Sequence, residues 1–362
     1  MMIRRRSIAL IGCGRIGFLL ENDPLRYKPC THYGGAVAAG LTVTHACDID
    51  GSRLSLFAKA AGIKQDSLSE NYRNLLRDAR PDLVIIATWT ESHERIAVEA
   101  ARCGARVIVL EKPMAPSLPA CRRILRACEK YGASLIINHE RRYDGRYVKS
   151  KELIASGAIG SVMTVRASIL TGAYAGLSDP GEGGGPLVHD GTHLIDILRF
   201  LLGDIVSVKG EFQRMKREWG FEDRACAWLK TASGVDIFLE AGGSRRYFMF
   251  ELDISGTDGA LVIGNGYQRL YRPRKSRWYT GFKDLDEVPF PKWRSTNPFT
   301  NLYREAKRLL AGETNVASSG EDGYRAMEVI HAIYYSAHLG GKRITLPLIP
   351  GRVNLKKIFN LP

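Results

Sequence analysis

Ser7-Ile8-Ala9-Leu10-Ile11-Gly12-Cys13-Gly14-Arg15-Ile16-Gly17 is the stretch on which the fold turns. A strand-forming apolar run stops in three glycines spaced Gly-x-Gly-x-x-Gly, and residues 15–21 read as the helix that follows. Strand, glycine turn and helix in this order let backbone approach a ligand closely while the amides of a helix start face it, an arrangement suited to a pyrophosphate. The glycine pattern alone also occurs in ordinary tight turns, so its surroundings carry the argument. A second strand over 41–47 closes on Asp48, where a carboxylate would take the ribose hydroxyls of a dinucleotide and repel a 2′-phosphate. That favours NAD, while the cation Arg53 keeps NADP open. The interval from Gly17 to Asp48 exceeds the usual ~20 residues. It contains Asp23-Pro24 and Lys28-Pro29, which break helices. An inserted loop accounts for both features, and Lys28 or His32 could reach the cofactor from it.

Farther along, apolar runs at 83–88, 106–110 and 135–138 alternate with helical stretches at 51–61, 92–103 and 118–131. Continuous apolar strands between amphipathic helices are the mark of a doubly wound parallel sheet. After Tyr143 the pattern changes. Residues 161–170, 205–212, 225–229, 235–241 and 248–255 alternate apolar and polar side chains, as an antiparallel sheet buried on one face requires. Helices are expected at 146–156, 189–202, 299–310 and 321–339, and a loop or irregular hairpin at 272–293.

Composition bounds the function. A chain of 362 residues with 45% hydrophobic and 25% charged residues is a globular protein of about two domains, not a disordered or membrane one. No apolar run approaches the ~20 residues of a membrane span. The basic start at Arg4-Arg5-Arg6 leads into an apolar run that meets glycines too soon for a signal peptide, so a cytoplasmic protein is expected. Seven cysteines without a Cys-x-x-Cys pair imply neither a disulfide framework nor a zinc cage. The net charge of +14 comes from scattered basic residues, which argues against nucleic acid and leaves room for an anionic small molecule.

Two more clusters follow strands: Thr88-Trp89-Thr90-Glu91-Ser92-His93 and Glu111-Lys112-Pro113. With these the chain resembles the glucose-fructose oxidoreductase/inositol dehydrogenase (Gfo/Idh/MocA) family of NAD(P)-dependent oxidoreductases. The likeness continues through Arg141-Arg142-Tyr143, Gly183-Gly184-Gly185, His193-Leu194-Ile195-Asp196, Gly256-Thr257-Asp258-Gly259 and Gly320-Glu321-Asp322-Gly323, nearly the whole chain. The expected architecture is α/β: an N-terminal Rossmann domain over 1–143, a C-terminal α+β domain over 144–345 on an open-faced, mainly antiparallel sheet, and a tail over 346–362. By the resemblance, the second domain binds substrate and joins subunits, giving a homodimer or homotetramer. The residues expected to line the cofactor are Gly12, Gly14, Arg15, Ile16, Gly17, Asp48, Ile49, Arg53, Thr88, Trp89, His93, Glu111 and Lys112.

The resemblance also implies roles. Lys112 would lie beside the nicotinamide and the reacting hydroxyl, where an ammonium stabilises developing negative charge. In Gly183-Gly184-Gly185-Pro186-Leu187-Val188-His189-Asp190-Gly191-Thr192-His193, His193 matches the family's acid/base histidine. The family's aspartate, four residues earlier, is here His189, with Asp190 next to it. Residues four apart share a helix face, so His189 and His193 could both face substrate, with Asp190 the nearest partner for the His193 tautomer or a helix-start cap. The His189/His193 spacing could also bind a metal, but a third ligand is missing and none is expected. His139 and Arg142 are further substrate candidates, and His45, His331 and His338 look structural.

The resulting function is a dehydrogenase moving hydride between nicotinamide and a hydroxyl of a sugar, polyol or nucleotide sugar. Alternatives are an NAD-using lyase or glycosidase acting through transient oxidation, and a dinucleotide-binding sensor without turnover. Arg141, Arg142, Arg166, Arg245 and Arg246 lean toward a carboxylate- or phosphate-bearing substrate.

Overall fold

The computed structural model describes residues 6–171, 185–215, 220–349, 351 and 353–359. The chain forms two compact units, Met1–Asp144 with Thr296–Tyr324, and Gly145–Ser295 with Arg325–Pro362. The first unit therefore takes back a segment, Thr296–Tyr324, from the stretch expected to build the second domain.

In the first unit, β1 (Ile8–Ile11), β2 (His45–Cys47), β3 (Leu68–Ser69), β4 (Leu83–Ile86), β5 (Val107–Leu110) and β6 (Ser134–Ile137) form one sheet in the order β3-β2-β1-β4-β5-β6. Every pairing is parallel. Each residue of β1, β4 and β5 is buried, which explains their unbroken apolar sequences. Between strands run α1 (His32–Ala38), α2 (Gly51–Ala61), α3 (Tyr72–Ala79), α4 (Thr90–Arg102) and α5 (Leu118–Tyr131). Sequence periodicity did not reveal β3 or α3, because β3 is two residues long and α3 buries only Leu75 and Leu76. Strand order reverses between β1 and β4, so their carboxyl ends flank the crevice where such sheets bind ligands.

The helix expected at 15–21 is corrected by the structure. Leu20 N donates to Arg15 O, and a short 3-10 turn, Leu19–Asn22, then ends before Asp23-Pro24. After an excursion the chain returns at Thr31, and the amides of His32 and Tyr33 donate to the carbonyls of Ile16 and Gly17, each at 3.0 Å. Helix α1 thus resumes the hydrogen-bond ladder that the excursion interrupts. Glu21 closes the base of the excursion, its Oε2 accepting from Cys30 N at 3.2 Å and Thr31 Oγ1 at 2.6 Å. Thr31 in turn caps α1 through Gly34 N. Phe18 and Tyr33, on either side of the break, both pack edge-on against Phe57, at 5.2 and 5.1 Å.

The second unit begins with α6 (Gly145–Ala155), β7 (Val162–Leu170), α7 (Pro186–His189) and α8 (Gly191–Leu202). The single helix expected at 189–202 is thus broken at Asp190. Then come β8 (Ile205–Gln213), β9 (Arg224–Thr231), β10 (Asp236–Gly242), β11 (Met249–Gly256), β12 (Gly259–Gly264), β13 (Tyr267–Lys275) and β14 (Lys283–Val288). The stretch expected as a loop or irregular hairpin is largely the regular hairpin β13–β14, paired from Leu270↔Val288 to Lys275↔Lys283. After α9 (Pro298–Leu310) and α10 (Gly320–His338), β15 (Ile344–Thr345) adds to β8, and α11 (Leu355–Phe359) follows. Sheet order is β14-β13-β12-β11-β7-β10-β9-β8-β15, with β7–β10 the parallel pair and the others antiparallel. Val165, Ala167 and Ile169 bury one face, while Trp228 and Phe238 are exposed on the other.

Helix α9 shows why its segment belongs to the first unit. Asn297 caps it at Thr300 N, and Pro298 suits its first turn. Its apolar face, Phe299, Leu302, Tyr303, Ala306 and Leu309, joins the core that holds Leu10, Phe57, Ile85 and Val109.

Candidate functional site

The first half of the site surrounds the glycine turn. Gly12 has φ +97°, and a Cβ there would stand 2.4 Å from Ala87 O; at Gly17 it would stand 2.1 Å from Gly12 O. Both glycines are demanded by the fold itself. Gly14 differs, since its nearest such neighbour is Arg53 Nη1 at 3.6 Å. The room left at Gly14 is what a pyrophosphate lying on the turn would occupy. Asp48 is buried and braces the turn, its Oδ2 accepting from Cys13 N at 2.8 Å and its Oδ1 from Asp50 N at 2.9 Å. A carboxylate offers about four lone-pair sites, so these two bonds leave capacity for ribose hydroxyls. Arg53 Nε lies 2.8 Å from Asp50 and 4.0 Å from Asp48. Ile49 leaves 86% of its surface exposed directly after Asp48, an apolar face suited to an adenine ring. Arg15 is exposed and Ile16 half-buried.

Beside this turn, across β4 and β5, lies the second cluster. Thr88 Oγ1 and Ser92 Oγ are 2.6 Å apart, and Trp89 is exposed where α4 starts. The expected cofactor contact of His93 is corrected: the ring is wholly buried, with its nitrogens each 3.0 Å from a carbonyl, Pro113 O and Thr88 O. It ties the loop after β4 to the loop after β5, and burial holds its pKa below the ordinary value. Glu111 is likewise engaged by the protein. Its Oε1 accepts from His32 Nε2 at 2.7 Å and Asn138 Nδ2 at 2.5 Å, and its Oε2 from Lys112 N at 3.1 Å. Burial alone would raise this carboxyl, but the His32 bond, the His32 and Lys112 charges and Asn138 outweigh it and hold the pKa at about 2. Glu111 therefore supports Lys112 from beneath, and the next peptide, Lys112–Pro113, is cis.

The strand next to β5, β6, is followed by Asn138-His139-Glu140. His139 is buried. Arg142, expected to meet substrate, is buried instead, with Nη1 donating to Ala317 O at 2.9 Å and Nη2 to Asp322 at 3.0 Å. It fastens the returning segment. Sequence reasoning passed over Glu140, whose carboxyl is pushed up chiefly by burial while the Arg141 and Lys112 charges pull it back. Its place at the carboxyl end of a parallel strand was the available signal.

In the second unit, His189 ends α7 and Asp190 stands at the junction with α8. Asp190 Oδ1 lies 2.9 Å from His189 Nδ1, and the side chain makes no cap bond to α8, so the alternative reading of Asp190 as a helix-start cap does not hold. His193 is buried in the first turn of α8, its amide donating to Asp190 O. Gly183 and Gly184 lie outside the described residues. Below this junction sits Glu222, which the sequence did not single out. It is buried, and its Oε1 accepts from Leu187 N at 2.9 Å and Tyr334 OH at 2.8 Å. Its Oε2 has no partner among the described residues. A Cβ on Gly185 would fall 2.1 Å from that oxygen. Burial pushes the Glu222 carboxyl up to about 7.

The arginines that pointed to an anionic substrate are largely paired: Arg141 with Glu140, Arg142 with Asp322, Arg166 with Asp253 and Arg245 with Glu240. Among the described residues, no group of three or more His, Cys, Asp or Glu is placed to hold a metal ion.

Comparison with known proteins matches residues 6–139 to the profile of an "Oxidoreductase family, NAD-binding Rossmann fold" and residues 147–262 to the "GFO/IDH/MocA C-terminal domain". The chain belongs to the GFO/IDH/MocA oxidoreductase family. A D-apiose dehydrogenase from Rhizobium rhizogenes is 27% identical over 92% of this chain and 95% of its own length. An inositol 2-dehydrogenase from Cereibacter sphaeroides is 33% identical over 71% of this chain and 73% of its own. The crystal structure of the WlbA dehydrogenase from Bordetella pertussis, in complex with NADH and UDP-GlcNAcA, shares the fold. Its TM-score is 0.77 at 21% identity, covering 96% of this chain and all (100%) of that one. As a GFO/IDH/MocA protein, the chain is an oxidoreductase whose first unit binds NAD.

The contrast between the glycines is testable. Gly14→Ala should leave the melting temperature within about 2 °C and weaken NAD at least about tenfold, one step of about 1.4 kcal/mol. Gly12→Ala should instead cost about 2 kcal/mol or more through strain at positive φ and the clash with Ala87. Thermal melts and NAD titration of both variants decide it; equal NAD loss in both would remove the special role of Gly14.

Glu222 gives a second test. Its carboxyl is raised from 4.5 to about 7, so the folded state holds the proton more tightly than the unfolded one. Stability then falls as pH rises from about 4.5 to about 7 and levels off above. Glu222→Gln should flatten that fall in melts recorded from pH 5 to 8, and an unchanged slope would refute the assignment.

Proposed function

We propose that this oxidoreductase transfers hydride between NAD and a carbinol carbon of a neutral sugar or polyol. Lys112 steadies the charge on the reacting oxygen, and His193 takes or returns the hydroxyl proton. NAD, when bound, supplies the hydride acceptor or donor. The observation that carries this reading is the Glu111–Lys112 turn. A strand end in the nicotinamide-binding half of the fold carries an ammonium-bearing residue, and the preceding carboxylate is held by three protein donors. Asp48 supports NAD over NADP, because an added 2′-phosphate would meet its buried negative charge. His189–Asp190 is the local counterpart of the aspartate that the family places before its histidine.

The relatives named for D-apiose and inositol favour a neutral polyhydroxy compound, and so do the pairings of Arg141, Arg142, Arg166 and Arg245. All seven cysteines are free thiols, which suits the cytoplasm, and no helix among the described residues is long and apolar enough to cross a membrane. The open face of the second unit's sheet suits self-association. Trp228 and Phe238 stack there at 6.1 Å, with Phe238 half exposed. Such a face is costly to leave in water.

The purified protein should be screened with NAD against neutral sugars, inositols, sugar acids and UDP-sugars, following absorbance of the reduced cofactor. Activity is expected with neutral polyols. Activity confined to sugar acids or UDP-sugars would overturn the substrate class, and product formed without net cofactor reduction would mark a lyase or glycosidase. Lys112→Ala should hold NAD within a few fold yet lose at least about a hundredfold in turnover; unchanged turnover removes Lys112 from the mechanism.

Light scattering at micromolar concentration should report a dimer or tetramer, and Phe238→Asp should shift it toward monomer. A monomeric parent protein refutes the sheet-face interface.

A further inference from the structure

Under the Glu111-Lys112-Pro113 turn runs a hydrogen-bonded path that hydride transfer does not itself use. Tyr303, on α9, and His32, the first residue of α1, are both fully buried. Tyr303 OH lies 2.6 Å from His32 Nδ1, and His32 Nε2 lies 2.7 Å from Glu111 Oε1. Burial pushes the Tyr303 phenol well above its ordinary pKa, so it keeps its proton. In either charge state of the imidazole Nε2–H donates to the carboxylate, and Nδ1 shares the second bond with the Tyr303 hydroxyl. The histidine is fixed from other sides as well. Its amide donates to Ile16 O at 3.0 Å, and its ring packs edge-on against Phe299 at 5.6 Å. The residue that resumes the glycine-turn helix and a residue from the returning segment therefore converge on the acid preceding Lys112.

We propose that His32, oriented by Tyr303, is a positioning residue that locks the Glu111 carboxylate and thereby the Lys112 backbone for action on the reacting hydroxyl. This rests on the reading of Lys112 as the group at that oxygen. Glu111 Oε2 accepts the Lys112 amide at 3.1 Å, so a rotation of the carboxylate moves the very residue that must stay still. Stability alone does not call for such a pair, since apolar side chains of similar volume fill a core at least as well. Two buried polar side chains aimed in series at one carboxylate do what packing cannot: they set its angle.

Hydrogen exchange read by mass spectrometry on the full chain, without added ligand, follows the Lys112 amide directly. In His32→Ala its exchange should rise at least about tenfold while amides of β5 and α5 stay within about twofold. His32→Gln keeps an amide donor for Glu111 and should restore protection; Tyr303→Phe should fall between. Unchanged exchange at Lys112 in all three variants, or a uniform rise across the first unit without rescue by Gln, overturns the proposal. Turnover with the substrate found in the screen supplies the second arm. His32→Ala should lose at least about tenfold in kcat with KM for NAD within about twofold, and lose nothing further in a Lys112→Ala background, because both act through one group. Equal losses in both backgrounds overturn the positioning role. Unchanged turnover in Lys112→Ala alone instead overturns the reading of Lys112, and the exchange result then stands by itself.

Discussion

A carboxylate taken out of water must be given donors or lose its charge. Glu111 obeys by drawing on three parts of the first unit: His32 at the start of α1, Asn138 after β6, and the amide of Lys112 beside it. Each donor is where it is because a larger feature delivers it. The interrupted helix brings His32, parallel pairing of β5 with β6 brings Asn138, and α9 brings Tyr303 to steady the histidine. The loop that carries Lys112 is thus fastened to the sheet, the first helix and the returning segment together.

Glu222 shows the opposite outcome under equal burial. It receives one backbone amide and one tyrosine hydroxyl on a single oxygen, and burial lifts its carboxyl to about 7. Glu111, with a histidine, an amide side chain and a neighbouring ammonium, falls to about 2. Partners, not depth, decide the charge. One acid is a permanent anion under the glycine-turn half of the protein, and the other is a titrating group under the junction that bears His189 and Asp190.

The doubly wound sheet was legible because β1, β4 and β5 are buried on both faces and therefore carry unbroken apolar runs. Gly12, Gly17 and Asp48 were legible because local backbone chemistry demands them. The inserted loop betrayed itself through spacing and prolines. What escaped was long-range. That His32 turns inward, that Arg142 serves Ala317 and Asp322, and that α9 belongs with the first unit depend on contacts between residues distant in the chain. Periodicity carries no record of such partners. His93 was misjudged for a related reason: its neighbours in sequence point to the cofactor, while its ring spans two carbonyls of separate loops.

The splice between Gly17 and His32 has an architectural consequence. Because Ile16 and Gly17 hand their carbonyls to His32 and Tyr33, the two sides of the break are tied by backbone hydrogen bonds, and Glu21 with Thr31 forms a closed neck below the excursion. The length of chain above that neck is decoupled from the geometry beneath it. Closing a longer loop costs only about 0.6 kcal/mol per doubling. Leu25 and Tyr27, largely exposed at its tip, bear little of the core. The excursion is therefore a natural graft point: a peptide tag, a reporter or an affinity handle could be carried there, one neck away from the dinucleotide turn, without rewriting the helix that supports it.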